Sequence, residues 1–196
     1  KLLRGWGRSS AVFNESEGIK LRFNKKVDGI PYDGKYIFSE MGYNFLPSEI
    51  SAAFALEQLK KLKSNISIRV KNFNKINNYF KKYKDLFILP TEFKGLKTGW
   101  LAYPLIIKDH KKIKRTDLQI FLETNNVQTR TIFTGNILRQ PIMKKRFYKK
   151  CKNSYNNSDF IMKNGMLIGC HHGLSFKDID YMLSKFDNFF KKNNLQ

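Results

Sequence analysis

Gly42-Tyr43-Asn44-Phe45-Leu46-Pro47-Ser48-Glu49-Ile50-Ser51-Ala52-Ala53-Phe54-Ala55-Leu56-Glu57-Gln58-Leu59-Lys60-Lys61-Leu62 carries the chain from an irregular segment into a helix. Glycine and asparagine favour a turn, and Pro47 and Ser48 suit a helix opening. Ile50, Ala53, Phe54, Ala55, Leu56, Leu59 and Leu62 then recur at helical spacing, which predicts a helix over 47 to 63. Ile66, Val70, Phe73, Ile76, Phe80 and Tyr83 predict a second, over 65 to 83, with an outer face of lysine and asparagine. The pair reads as a helical arm. A helix N-terminus attracts phosphate through its N–H groups and dipole, although from physics alone Asn44 reads more simply as a turn or capping residue.

Upstream, residues 9 to 35 carry Gly, Asn, Asp and Pro31 with weak periodicity, so a long loop with at most short strands is expected there. Downstream of residue 87 short apolar runs alternate with helical patterns, the signal of a small α+β or α/β layer. Trp100 to Ile107, Val127 to Phe133 and Met166 to Cys170 read as strands. Thr116-Asp117-Leu118-Gln119 and Ser175-Phe176-Lys177-Asp178 read as capped helix starts, the second leading into an apolar stripe from Ile179 to Phe190. The expected organisation is 1–46 as the end of a large domain with its long loop, 47–84 as the arm, and 85–196 as a small C-terminal domain.

The 196 residues include 17 Phe and 9 Tyr, enough to build a core. A formal charge of +21 would ordinarily point to nucleic acid. Its make-up argues otherwise: 29 of the 37 basic residues are Lys, 18 Asn and only 5 Ala occur, and the lysines run from Lys1 to Lys192 without forming a stripe. A solvated basic surface that helps steer a diphosphate is the favoured reading. Cys151 and Cys170 have no C-x-x-C spacing and no histidine placed to complete a metal site, so both read as idle or buried thiols. There is no signal pattern and no apolar run of membrane-spanning length, and a soluble cytoplasmic protein is expected.

Gly42-Tyr43-Asn44, followed by Glu49, Ala52-Ala53 and Gln58-Leu59, resembles a signature of the DegT/StrS-type sugar aminotransferase and dehydratase family. Three further stretches carry the likeness: Arg4-Gly5-Trp6-Gly7-Arg8, Thr129-Arg130-Thr131-Ile132-Phe133-Thr134-Gly135-Asn136-Ile137-Leu138-Arg139-Gln140-Pro141, and Gly169-Cys170-His171-His172-Gly173-Leu174-Ser175. The first two of these look most like the nucleotide-sugar 3-dehydratase branch. Members of that branch that hold an iron–sulfur cluster carry cysteines just after the Arg4–Arg8 position. Here none occurs from Ser9 to Met41, so the chain looks more similar to the cluster-free members that act on GDP-sugars.

The resemblance implies a PLP fold type I enzyme, of which this chain, opening at Lys1 without an initiator methionine, would be the C-terminal portion and catalytically incomplete. It implies a homodimer in which Asn44 reaches the cofactor phosphate of the partner subunit, with pyridoxal or pyridoxamine 5'-phosphate held mainly upstream. It places Arg130, Asn136, Arg139, Arg4 and Arg8 on the substrate side, with a GDP-linked 4-keto-6-deoxyhexose as expected substrate in surface-polysaccharide synthesis. An exposed strand arginine, a turn asparagine and a surface arginine remain open readings of Arg130, Asn136 and Arg139. No catalytic residue and no metal ligand is expected within the chain. A sugar aminotransferase of the same family differs at one upstream position, lysine where the dehydratase has histidine. A non-catalytic basic binding module is the alternative from another class. His171 and His172, read as lying on a strand, would point to opposite faces.

Overall fold

The computed structural model describes residues 1–13, 19–145, 147–149 and 154–195. They fall into two compact units, Lys1–Lys60 and Lys61–Gln196. The first begins with two short helices, α1 (Ser10–Phe13) and α2 (Ile19–Phe23), followed by an antiparallel hairpin of β1 (Lys25–Val27) and β2 (Ile30–Tyr32). Asp28 and Gly29 form its two-residue loop, both with positive φ (49° and 82°), as a type I′ turn requires. Pro31 is tolerated because a two-stranded ribbon leaves each strand one unpaired edge. Asp33 then caps a 3-10 turn over Gly34–Tyr36, accepting from the Lys35 N–H and holding the Arg22 guanidinium.

Helix α3 (Glu49–Phe80) is one continuous helix of 32 residues, not the two expected. Ser64, where a break was expected, is neither proline nor glycine, so the backbone donor needed to continue the ladder is present. What changes there is burial: Ile50, Phe54, Leu56 and Leu59 are exposed, whereas Asn72, Phe73, Ile76 and Phe80 are buried. The ladder begins at Ser48, whose carbonyl accepts from Ala52.

The second unit continues with β3 (Phe87–Ile88), β4 (Ala102–Ile107), α4 (Arg115–Thr124), β5 (Thr129–Thr131), α5 (Asn156–Asn164), β6 (Gly165–Gly169) and α6 (Phe176–Lys192). Its sheet has the order β3-β4-β6-β5 and is antiparallel throughout, with Tyr103 opposite Ile168 and Arg130 opposite Leu167. Buried residues alternate along β4, so one face takes the core. There Tyr103, Leu105, Ile107, Met166 and Ile168 meet Ile76 and Phe80 of α3, Leu118 and Leu122 of α4, and Ile179, Phe186 and Phe190 of α6.

Two expectations need correction. The Ser175–Asp178 capping box is formed, but α4 starts at Arg115 behind Lys114 with no side-chain cap. Gln119, expected to reach back, instead donates to Thr129 Oγ1 on β5 at 3.1 Å. The strand expected over Val127 to Phe133 shrinks to Thr129–Thr131 because Asn126 (φ 58°) and Phe133 (φ 46°) turn the backbone away on both sides. Cys170 is buried with its Sγ 3.6 Å from the Arg69 carbonyl, and burial pushes its thiol up to about 12. Cys151 lies outside the described residues. No helix among them is long and apolar enough to cross a membrane.

Phe80 stands at the centre of an aromatic cluster, with ring centroids 5.0 Å from Phe186, 5.6 Å from Phe87 and 5.7 Å from Tyr103. Phe80→Ala is expected to destabilise the second unit by about 3–5 kcal/mol, read from urea denaturation, because a fully enclosed cavity has no route to collapse. A loss below about 1 kcal/mol would contradict this packing.

Candidate cofactor and substrate site

In the first unit the Arg4–Arg8 and Glu40–Phe45 stretches lie side by side. Trp6 N–H donates to Tyr43 O at 2.9 Å, Tyr43 N–H to Leu3 O at 2.6 Å and Phe45 N–H to Arg4 O at 2.8 Å, with Gly5 and Asn44 paired as an antiparallel bridge. Ser39 N–H donates to Gly7 O at 2.9 Å. The approach is too close for side chains. A Cβ on Gly42 would fall 2.2 Å from Gly7 N, and one on Gly7, at φ 76°, would fall 1.8 Å from Glu40 O. Only glycine fits at either position.

This clasp fixes the backbone of Asn44 while leaving its side chain exposed and without a hydrogen bond to any described residue. Arg4 is likewise exposed with no such partner. Arg8 is different: its guanidinium carbon lies 4.5 Å from the Trp6 ring centroid, and its Nε is buried without a hydrogen bond. Trp6 itself is 41% exposed at φ 61°.

In the second unit Arg130 is exposed on β5, its Nη1 donating to the Thr129 carbonyl at 2.7 Å. The Gln128 amide, turned to present its oxygen, accepts from Nη2 at 2.7 Å. No carboxylate of the described residues lies within ion-pair distance of Arg130. It borders a cavity of about 610 Å³ whose walls include Val127, Leu167, His171, Tyr181 and Met182.

Asn136 and Arg139 are held differently. Asn136 is buried, its Oδ1 accepting from Leu138 N–H and its Nδ2 donating to Asp159 at 2.7 Å. Arg139 grips the same carboxylate through Nε at 3.0 Å and Nη2 at 2.6 Å. These donors hold the Asp159 carboxyl down to about 2. Asp159 went unnoticed in the sequence because it lies 20 residues past Arg139, in the first turn of α5.

The two adjacent histidines follow β6 in a turn rather than lying on it. His171 Nδ1 accepts from Gly173 N–H at 3.2 Å, and His172 Nδ1 accepts from Arg69 Nε at 3.2 Å. Asn72, buried on α3, ties this turn down by donating to the carbonyls of His171 and Leu174 at 3.0 and 3.2 Å.

The profile of the DegT/DnrJ/EryC1/StrS aminotransferase family matches residues 11–187. The chain belongs to that family. Its fold matches the C-terminal region of PLP fold type I aminotransferase-like structures. It is 30% identical over 97% of its length to the lipopolysaccharide biosynthesis protein RfbH of Salmonella typhimurium, of which it covers 44%. It is similar to the Escherichia coli GDP-4-keto-6-deoxy-D-mannose-3-dehydratase with bound hydrated PLP (29% identity, TM-score 0.72), 93% of the chain covering 45% of that structure. A variant of GDP-4-keto-6-deoxymannose-3-dehydratase with bound GDP-perosamine gives 28% identity and a TM-score of 0.71, with 94% and 46% covered. The chain thus spans less than half the length of the curated relatives it matches.

Two outcomes test this member's local geometry. Gly7→Ala is expected to open the clasp, making the first unit cleave at least about tenfold faster in limited proteolysis while the second stays protected. Unchanged protection would mean the backbones do not approach this closely. For the Asp159 anchor, a depressed carboxyl contributes its support fully above the ordinary carboxylate range near ~4 and loses it as pH falls toward about 2. Protection of the Asn136 to Arg139 amides, taken as the exchange rate relative to the intrinsic rate at each pH, should therefore hold at pH 5 and fall only between pH ~4 and ~2; a fall already near pH 6 would contradict the pairing.

Proposed function

We propose that this chain is part of a nucleotide-sugar 3-dehydratase dependent on pyridoxal or pyridoxamine 5'-phosphate. Its substrate is a GDP-linked 4-keto-6-deoxyhexose deoxygenated at C3 for surface polysaccharide, and it works as a cytoplasmic homodimer. In this reading residues 1–46 close the large domain, 47–84 form the arm and 85–196 the small domain. The observation that carries it is the likeness, over nearly the whole chain, to structures of GDP-4-keto-6-deoxymannose 3-dehydratase. The absence of cysteine from Ser9 to Met41 supports a form without an iron–sulfur cluster.

The residues present suit such a cofactor at one point: Asn44 offers an amide donor, unengaged by described residues, on a backbone fixed by the glycine clasp. Its N–H groups would donate to the cofactor phosphate of the partner subunit. Bound pyridoxal phosphate supplies the electron sink for chemistry beside the sugar carbonyl. On the substrate side Arg130 presents a guanidinium fork to the diphosphate, and Arg4 and Arg8 add positive charge. Asn136 and Arg139 serve that side by holding the loop after β5 in shape. In this reading no residue of the chain is assigned to move the proton.

The sugar aminotransferase of the same family is the second reading, favoured by the family's own description. The gene sequence upstream of Lys1 separates them: histidine at the cofactor-facing position supports the dehydratase, lysine the aminotransferase. The complete gene product, given cofactor, an amino donor and GDP-4-keto-6-deoxymannose, is expected to form the 3-deoxysugar, and formation of an amino sugar instead would overturn the reading. Asn44→Ala should weaken cofactor binding roughly tenfold or more, followed by absorbance titration, since it removes a hydrogen bond to a charged group. Unchanged affinity would remove Asn44 from the site.

A further inference from the structure

Among the described residues five non-glycine positions have positive φ, and three of them are Asp or Asn, for which that region is ordinary. The other two are aromatic, Trp6 and Phe133, and each sits inside a stretch that carries the family likeness. Trp6 lies under the Arg8 guanidinium. Phe133, at φ 46° and 89% exposed, has no packing among the described residues that repays its strain. A bulky residue keeps such a conformation only where its surroundings over-determine it.

They do so here from several sides. Thr131 Oγ1 donates to Phe133 O at 3.1 Å, Gly135 N–H to Ile132 O at 3.0 Å, and Gln140 Nε2 to Thr134 O at 3.0 Å. Gly135, at φ 63°, presses so closely on Met162 that a Cβ would fall 2.4 Å from its side chain. Asn136 and Arg139 are then tethered by Asp159. The result is a rigid turn that presents one flat apolar ring to the outside, three residues from the exposed Arg130. Three residues of chain span at most about 10 Å, within the reach of one nucleotide.

We propose that Phe133 is a specificity-determining residue that stacks on the nucleobase of the substrate whose diphosphate Arg130 meets, an inference that rests on the nucleotide-sugar reading above. The base is the flat apolar part of a nucleotide sugar, and every base offers a π-face to an aromatic ring. A ring on a backbone already held in place has only its two side-chain torsions to lose when the ligand arrives.

The test uses the complete gene product and GDP itself, so that binding is read apart from turnover. Phe133→Ala is expected to weaken GDP binding about tenfold, by calorimetry, and to lower kcat/KM for the GDP-sugar through KM, with Tm unchanged. Phe133→Trp should restore both. If wild-type protein binds GDP and Phe133→Ala does not, while no sugar is dehydrated, the inference stands and the dehydratase reading falls. The inference itself is overturned if wild-type protein fails to bind GDP, or if Phe133→Ala leaves GDP affinity unchanged. In the latter case a raised KM for the GDP-sugar would place the ring on the sugar, and a lowered Tm would place it against another part of the protein.

Discussion

Burial of one face of the four-stranded antiparallel sheet beneath α3, α4 and α6 is the constraint on which the second unit depends. The alternation of β4 puts Tyr103, Leu105 and Ile107 on that face, and the Phe80 ring meets rings from β3, β4 and α6 at once. Strand registers follow, because a slip of one residue would turn each buried side chain outward. With registers fixed, the ends of β5 and β6 are fixed, and these carry the Arg130 loop and the histidine turn. Polar anchors finish the placement where apolar packing stops: Asn72 holds the turn after β6, and Asp159 holds the loop after β5. Each anchor satisfies groups that would otherwise be buried without a partner.

The first unit relies on backbone rather than side-chain packing. Its stretches 2–9 and 37–45 exchange main-chain hydrogen bonds at a separation that excludes a Cβ on Gly7 and on Gly42. Two glycines that look unrelated in sequence are thus one requirement. Arg4–Arg8 is the surface on which Gly42–Asn44 is shaped, so two stretches that carry the family likeness form one structural element.

Period and punctuation made much of this legible. The buried runs of β4 and β6, the stripe of α6 and its Ser175–Asp178 box follow directly from residue types and spacing. The division of α3 was misread because its exposed and buried halves were taken for two helices; Ser64 contains nothing that stops a helix. The start at Thr116 was misread because a glutamine three residues on has other partners in three dimensions, here Thr129. The hairpin at Asp28-Gly29 was not read from the sequence, because its strands are too short to show alternation. Asp159, Asn72 and the close approach of Gly7 to Gly42 are relations between distant positions, which one sequence does not display. The standing of Asn44 came from the family pattern, since its local chemistry suits a turn equally well.

Geometry also separates arginines that a motif match places together. Arg130 and Arg139 stand nine residues apart in one matched stretch, but Arg139 is neutralised by a two-point grip on Asp159. Arg130 leans only on a carbonyl and a neutral amide, so its charge remains available to an incoming anion. A guanidinium whose charge is already matched by a carboxylate, with two of its five N–H groups engaged, attracts an incoming phosphate less than an unmatched one does. In the proposed reading Arg139 therefore contributes to a diphosphate site through the shape of the loop it ties down, and Arg130 through its charge. The spread of lysines adds a general positive field to this without directing it. In the proposed reading, specificity then rests on the few side chains whose direction the backbone has already fixed.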